Sequence, residues 1–194
     1  MRKWNILVGI SLDITPRLHN VNRVDALGKG TFEKVNRSRT LMQKMGVEYN
    51  ILAVLTHDMA RHPQQVWNAI LDMGLPYVQF IPCLDALAAS APSPYALTPQ
   101  RFAQFYNGLF PLWLEAFRRG NYISIKLFDD VINLLARGQV NACGLTGQCC
   151  VQLVVESDGS VYPCDFYAVD DLAWEIFANT RFRNYWVLPP HISF

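Results

Sequence analysis

Four of the chain's five cysteines, Cys143, Cys149, Cys150 and Cys164, fall within 22 residues, and an acid, Asp165, follows the last of them. Thiols in such a group can pair as disulfides, pack as small hydrophobes or hold a soft metal. An odd number and the absence of a readable export signal argue against a secreted disulfide framework. Cys143 and Cys149 are six positions apart, with Gly144 and Gly147 letting the backbone curl between them, and Cys164 follows Cys149 by fifteen. In VVESDGSVYPCDFY, residues 154–167, Asp158-Gly159 signals a two-residue hairpin turn, because both residues tolerate the positive φ it needs. That turn would bring Cys164 back towards the other thiols. Three converging thiolates suit zinc or an iron–sulfur cluster, and spacing does not choose between them. A fourth ligand must come from Cys150 or from elsewhere. Alternation along the return strand predicts that Cys164 and Asp165 point to opposite faces. Cys83, alone after QFIP, reads as a packed core residue.

The elements that must position these groups repeat in order. Residues 5–13, NILVGISLD, form a short apolar run fit for a strand buried on both faces. ITPRLHNVNRVDALGKG reads as a loop. A helix starts after Thr31, a plausible N-cap, carries Phe32, Val35, Leu41 and Met45, and stops at Gly46. A second strand follows over 47–56. The next helix has Pro63 in its first turn and Gly74 at its end, and a third strand covers 77–84. An Ala-, Ser- and Pro-rich loop passes over that strand's end. A long aromatic helix begins at Thr98-Pro99, which Pro111 should kink or divide. YISIKLF reads as a fourth strand and DDVINLLARG as a short helix.

This alternation predicts an α/β fold with a parallel sheet. Functional groups then belong at the carboxyl ends of the strands: Ser11 and Asp13, Thr56 and His57, and Gln79 to Asp85. His57 and His62 read as solvated loop residues. Phe102, Phe105, Tyr106, Phe110 and Trp113 read as core. GKGTF could hold an anion before its helix, but it lacks the fuller glycine fingerprint.

The chain is 51% hydrophobic and 17% charged, with a formal net charge of +1. This balance describes a folded globular protein and gives no reason to expect nucleic acid or an anionic membrane as partner. The start, MRKWNILVGISLD, has basic residues before an apolar run, but Asp13 interrupts it early. It reads as a buried strand rather than a signal peptide, and a cytoplasmic setting is expected.

Taken together, VGISLD, HNVNRVDALGKGTFEKV, GVEYNILAVLT, ARHPQQVW, YVQFIPCLD, CGLTGQCC and VVESDGSVYPCDFY resemble the anaerobic sulfatase-maturating enzymes. These are radical S-adenosylmethionine (SAM) enzymes with a SPASM-type auxiliary domain. The resemblance implies that residues 1–140 are the C-terminal half of a partial (β/α)6 barrel. Residues 141–170 would begin the auxiliary domain with a β-hairpin, and 171–194 form a divergent tail. It implies oxidation of a Cys or Ser of a sulfatase polypeptide to formylglycine, with electrons handled by flavodoxin or ferredoxin. It places Cys143, Cys149 and Cys164 on ligands of an auxiliary [4Fe–4S] cluster and Asp165 on the general base. Ser11 and Arg23 fall on positions that hold the polar end of SAM, and Leu84 on one that packs near its adenosine.

The departures are as specific. No C-x-x-x-C-x-x-C, the family's SAM-cleaving cluster motif, occurs in the 194 residues, and no cysteine follows Cys164. Ile14-Thr15 stands where many relatives have Gly-Pro after Ser-x-Asp. The expectation is therefore a fragment that is inactive alone. The alternative is a noncatalytic interaction module that binds zinc or an iron–sulfur cluster.

Overall fold

The computed structural model describes residues 4, 6–86, 89–139, 142, 143, 145, 147, 153–165, 168, 169, 173, 175 and 176. The chain divides into two compact units, Met1–Ala136 and Arg137–Phe194.

In the first unit, the apolar runs form four strands: β1 (Val8–Ser11), β2 (Tyr49–Leu55), β3 (Tyr77–Pro82) and β4 (Ser124–Ile125). They lie in the order β1-β2-β3-β4, all parallel. The helices α1 (Pro16–Asn22) and α2 (Phe32–Lys44) connect β1 to β2, α3 (Pro63–Asp72) connects β2 to β3, and α4 (Pro99–Arg118) connects β3 to β4. After β4, α5 runs from Lys126 to Arg137. The α/β class and parallel sheet expected from the alternation are present.

Burial along β2 alternates strictly. Its odd-numbered residues are buried, together with Ile10, Leu12, Val78 and Phe80. The register pairs Gly9 with Asn50, Ser11 with Leu52, Leu52 with Gln79, and Val54 with Ile81. Paired residues of parallel strands share a face, and these residues are half-buried or exposed. One face of the sheet carries the core, where an apolar run alone suggested two.

The covered face packs Val66, Trp67 and Ile70 of α3 with Phe105, Tyr106, Leu109 and Trp113 of α4. Phe80 and Phe105 meet edge to face, and the Trp113 indole N–H donates to the Ile123 carbonyl at 2.8 Å. Burial raises the Tyr106 phenol far above its ordinary value. Phe110, expected in this core, is 44% exposed.

Three expectations about elements need correction. The supposed loop after β1 contains α1, started by Thr15, whose Oγ1 accepts the Leu18 N–H, with Pro16 in the first turn. Of the two effects expected of Pro111, division does not occur: α4 is one continuous helix through that residue. The Lys126-Leu127-Phe128 end of YISIKLF is helical, so β4 is only two residues long. Leu41 on α2 and Met45 just past its end are exposed, whereas Arg39 is buried on a helix that also carries half-buried Val35 and Met42.

In the second unit, β5 (Val154–Val155) and β6 (Ser160–Tyr162) pair antiparallel, and β7 (Glu175–Ile176) adds to β6. Val155 pairs with Val161, and the Glu156 N–H donates to the Ser160 carbonyl. Ser157, Asp158 and Gly159 thus form the connection, rather than Asp158-Gly159 alone. Only Gly159 has positive φ, at 88°. Asp158 instead accepts the Ser160 amide and hydroxyl at 2.9 and 2.8 Å, which lowers its pKa.

Candidate functional site: a strand-end cleft and a thiol beside a carboxylate

The β1–β2 ladder runs out just before the cleft. Leu12 donates to the Leu52 carbonyl at 3.0 Å. The next β2 amide on that side, Val54, finds the Asp13 side chain instead, donating to Oδ1 at 2.9 Å. The chain then reverses at Ile14. The Thr15 N–H reaches the Asp13 carbonyl at 2.7 Å, and Ile14 has φ 61°. A two-residue hydrogen bond around a positive φ is a rare γ-turn, and it is strained for a β-branched residue. Ile14 is nonetheless 1% exposed, so its side chain is fixed in the core.

The short helix α1 delivers His19 and Arg23. His19 is wholly buried. Its Nδ1 accepts the Asp13 backbone N–H at 3.2 Å, and its Nε2 lies 3.1 Å from Thr31 Oγ1. An amide only donates, so Nδ1 carries no proton and Nε2 does. Thr31 Oγ1 accepts the Nε2–H hydrogen bond and donates its own hydroxyl to the Arg23 carbonyl at 2.9 Å. Burial is the main reason that the His19 pKa lies below its ordinary value; Asp13 pulls it upwards and Arg23 pushes it down.

Thr31 is therefore occupied and does not cap α2 with its side chain. Asn20 takes that place, accepting the Phe32 N–H at 3.0 Å. The GKGTF anion site is also not left open, since the amides of Leu27 and Lys29 are both held by Asp25 Oδ1 at 3.0 Å.

Arg23 grips Asp13 side-on, with Nε 2.6 Å from Oδ2 and Nη2 3.3 Å from Oδ1. Its Nη1 makes no hydrogen bond among the described residues. Asp13 and Arg23 line an open cleft of about 350 Å³ with Asn22, Val54, Thr56, Cys83, Ser93 and Tyr95. The loop expected over the end of β3 closes one side: the His57 N–H donates to the Tyr95 carbonyl and Leu97 to the Cys83 carbonyl. Cys83 is thus half-buried in the cleft and not a core residue. Burial, then Asp85, raises its thiol pKa.

Cys164 and Asp165 both follow β6, and the thiol contacts Asp165 Oδ1 at 3.4 Å. The strand ends at Tyr162, before Pro163, so alternation does not part them as the sequence suggested. Cys143 is an exposed thiol in the same unit. Cys149 and Cys150 lie outside the described residues. Among the described residues, no group of three or more His, Cys, Asp or Glu could hold a metal. Cys143 and Cys164, the two described thiols of this second unit, are nevertheless of the donor type of a cluster site.

Comparison with known proteins adds the decisive observation. The cysteine-type anaerobic sulfatase-maturating enzyme of Clostridium perfringens is 44% identical over 165 residues, covering 84% of this chain and 45% of that protein. The chain is a relative of the anaerobic sulfatase-maturating enzymes. The Clostridium novyi cysteine-type enzyme is 41% identical over 86% of this chain and 45% of its own length. The serine-type enzyme of Bacteroides thetaiotaomicron is 26% identical over 86% of this chain and 43% of its own. Among solved structures, native anSMEcpe with bound AdoMet matches with a TM-score of 0.83 and 42% identity, over 89% of this chain and 47% of that one. Native anSMEcpe with bound AdoMet and Kp18Cys peptide matches with a TM-score of 0.83 and 42% identity, over 88% and 48%. No protein-family model matches. The chain spans about 45% of the length of the clostridial maturating enzymes it matches.

Of the three residues that the maturase resemblance assigns to SAM, only Arg23 lines the cleft. Ser11 ends β1 with an exposed side chain on the less covered face of the sheet, two residues before Asp13. Leu84 follows Cys83 and is 61% exposed. Asp13 carried a strand-end signal but no role, and His19 carried no chemical signal at all. Thr15-Pro16, read as a helix start, would have placed His19 one turn into α1. No helix among the described residues is long and apolar enough to cross a membrane.

Proposed function

We propose that the chain supplies the SAM-binding cleft and auxiliary-cluster ligands of a radical SAM sulfatase maturase. That reaction oxidises a Cys or Ser side chain of a sulfatase to formylglycine in the cytoplasm, with flavodoxin or ferredoxin as electron donor. In this reading the parallel strands are part of an incomplete (β/α)6 barrel, and the β5–β6 pair belongs to a SPASM-type domain. The observation that carries it is Arg23: a guanidinium fixed on Asp13 at the strand ends, on a residue that lines the cleft and whose Nη1 makes no hydrogen bond among the described residues, in a chain that matches AdoMet-bound structures at 42% identity.

Each side chain then has a role. The uncommitted edge of Arg23 pairs with the methionyl carboxylate of SAM, an arrangement guanidinium geometry favours. Ser11 adds a hydroxyl to the same polar end, and exposed Leu84 offers apolar surface to the adenosine. Cys143, Cys149 and Cys164 hold a [4Fe–4S] cluster, which when bound supplies a one-electron acceptor. Asp165 takes the proton of the substrate thiol or hydroxyl. Its present hydrogen bond from Cys164 requires the protonated thiol and is lost once that sulfur is a metal ligand.

The 194 residues contain no C-x-x-x-C-x-x-C and so do not themselves supply the cysteine set that the family uses to cleave SAM. The purified chain is expected to bind SAM and, under strong reductant, to release no 5′-deoxyadenosine above an enzyme-free control. Absence of SAM binding overturns the cleft assignment, and measurable cleavage overturns the predicted inactivity.

A further inference from the structure

We propose that Asp13 is a positioning residue: it fixes the Arg23 guanidinium so that its free edge meets the carboxylate end of the ligand. This rests on the SAM reading of the cleft and adds a residue to it. Three observations carry the proposal.

First, the Asp13 carboxylate is 8% exposed and is held by donors from two elements. Val54 of β2 donates at 2.9 Å, and Arg23, just past α1, donates twice, at 2.6 and 3.3 Å. The carboxylate is thus anchored to the sheet before it grips the guanidinium. Second, the Asp13 backbone is fixed as well. Its amide is held by His19 Nδ1 and its carbonyl by Thr15 through the strained turn at Ile14. Strain of this kind persists only where the surroundings over-determine it. Third, the same network seizes Arg23 from behind, because Thr31 donates its hydroxyl and its amide to the Arg23 carbonyl at 2.9 and 3.1 Å.

An unrestrained arginine would spread its guanidinium over many rotamers and lose that freedom on binding. Here the Nε–Nη2 edge is occupied by Asp13 and only the Nη1 side remains for an incoming carboxylate. Asp13 also neutralises the guanidinium in the ligand-free cleft, so Arg23 remains stable there at 30% side-chain exposure.

The test uses two ligands and one ligand-free measurement on the 194-residue chain. SAM carries the methionyl carboxylate; 5′-methylthioadenosine has the adenosine without it. Asp13→Asn keeps an oxygen for Val54 but turns an amide N–H towards Arg23. It is expected to weaken SAM roughly tenfold or more while moving methylthioadenosine by no more than about twofold. Asp13→Glu, which keeps the charge but moves it by one methylene, is expected to give an intermediate loss with the same selectivity, and serves if Asp13→Asn does not fold. In the ligand-free chain, the Arg23 Nε–H nuclear magnetic resonance signal, identified by its disappearance in Arg23→Lys, should exchange slowly in wild type and rapidly in the Asp13 variants. Equal weakening of both ligands, or unchanged SAM affinity, overturns the proposal. If wild type binds neither ligand, the SAM reading fails, and the Nε–H comparison alone decides whether Asp13 fixes Arg23; an unchanged exchange rate means that it does not.

Discussion

His19 Nδ1 accepts the backbone N–H of Asp13 at 3.2 Å, which fixes the ring as the neutral tautomer with its proton on Nε2. Protonating Nδ1 would set two donors against each other inside the core.

This gives a pH dependence with a definite sign. The folded-state pKa of His19 is lowered from 6.5, chiefly by burial. Between that lowered value and 6.5, the unfolded chain binds a proton that the folded chain refuses. The contribution of His19 is therefore complete above about pH 6.5 and is lost as pH falls below it. Urea midpoints measured from pH 8 to pH 5 should fall for wild type, and the fall should be shallower for His19→Gln, which carries no titrating ring.

Ile14→Gly and Ile14→Ala should reverse the usual order of these two residues. Both empty a core position and should cost about 2–5 kcal/mol. Glycine, however, adopts φ 61° without the strain that any Cβ brings. The Ile14→Gly chain should be the more stable by roughly 0.5–1 kcal/mol in urea denaturation. An Ile14→Ala chain at least as stable would show that the turn relaxes.

Gly30→Ala should loosen the start of α2 from the other side. A Cβ built on Gly30 overlaps the Asn20 side chain, whose oxygen caps the Phe32 amide. Displacing that cap should cost about 1–2 kcal/mol, read by chemical denaturation. Asn20→Ala should cost a similar amount, and the double variant should lose less than the sum.

Arg39 is 5% exposed and its guanidinium bonds to Asn36, Gln43, Tyr49 and the Met73 carbonyl, joining α2 to β2 and to the end of α3. Lysine keeps the charge but not the planar fork. Arg39→Lys should destabilise by roughly 1–3 kcal/mol, with no change in the ratio of SAM to methylthioadenosine affinity.

The parallel sheet was legible because apolar runs and helix signals alternate along the chain, and the carboxyl-end rule then located Asp13 and Thr56. His19 was hidden because its role comes from tertiary burial between Asp13 and Thr31, and nothing in its neighbours marks it. Arg39 was hidden for the same reason: on α2 it takes an inward position that hydrophobic periodicity assigns to an apolar residue. The hairpin was half legible. Gly159 turns the chain as expected, but Asp158 contributes its side chain to Ser160 rather than a positive φ. The separation of Cys164 from Asp165 failed because Pro163 follows the end of β6, where alternation no longer applies.

The most direct test of the central claim is to reconstitute the purified chain anaerobically with iron and sulfide, then assay iron, zinc and acid-labile sulfide together. The account predicts iron with matching sulfide, lost on Cys143→Ala, Cys149→Ala or Cys164→Ala and retained on Cys83→Ala. Zinc without sulfide, or neither metal, would contradict it.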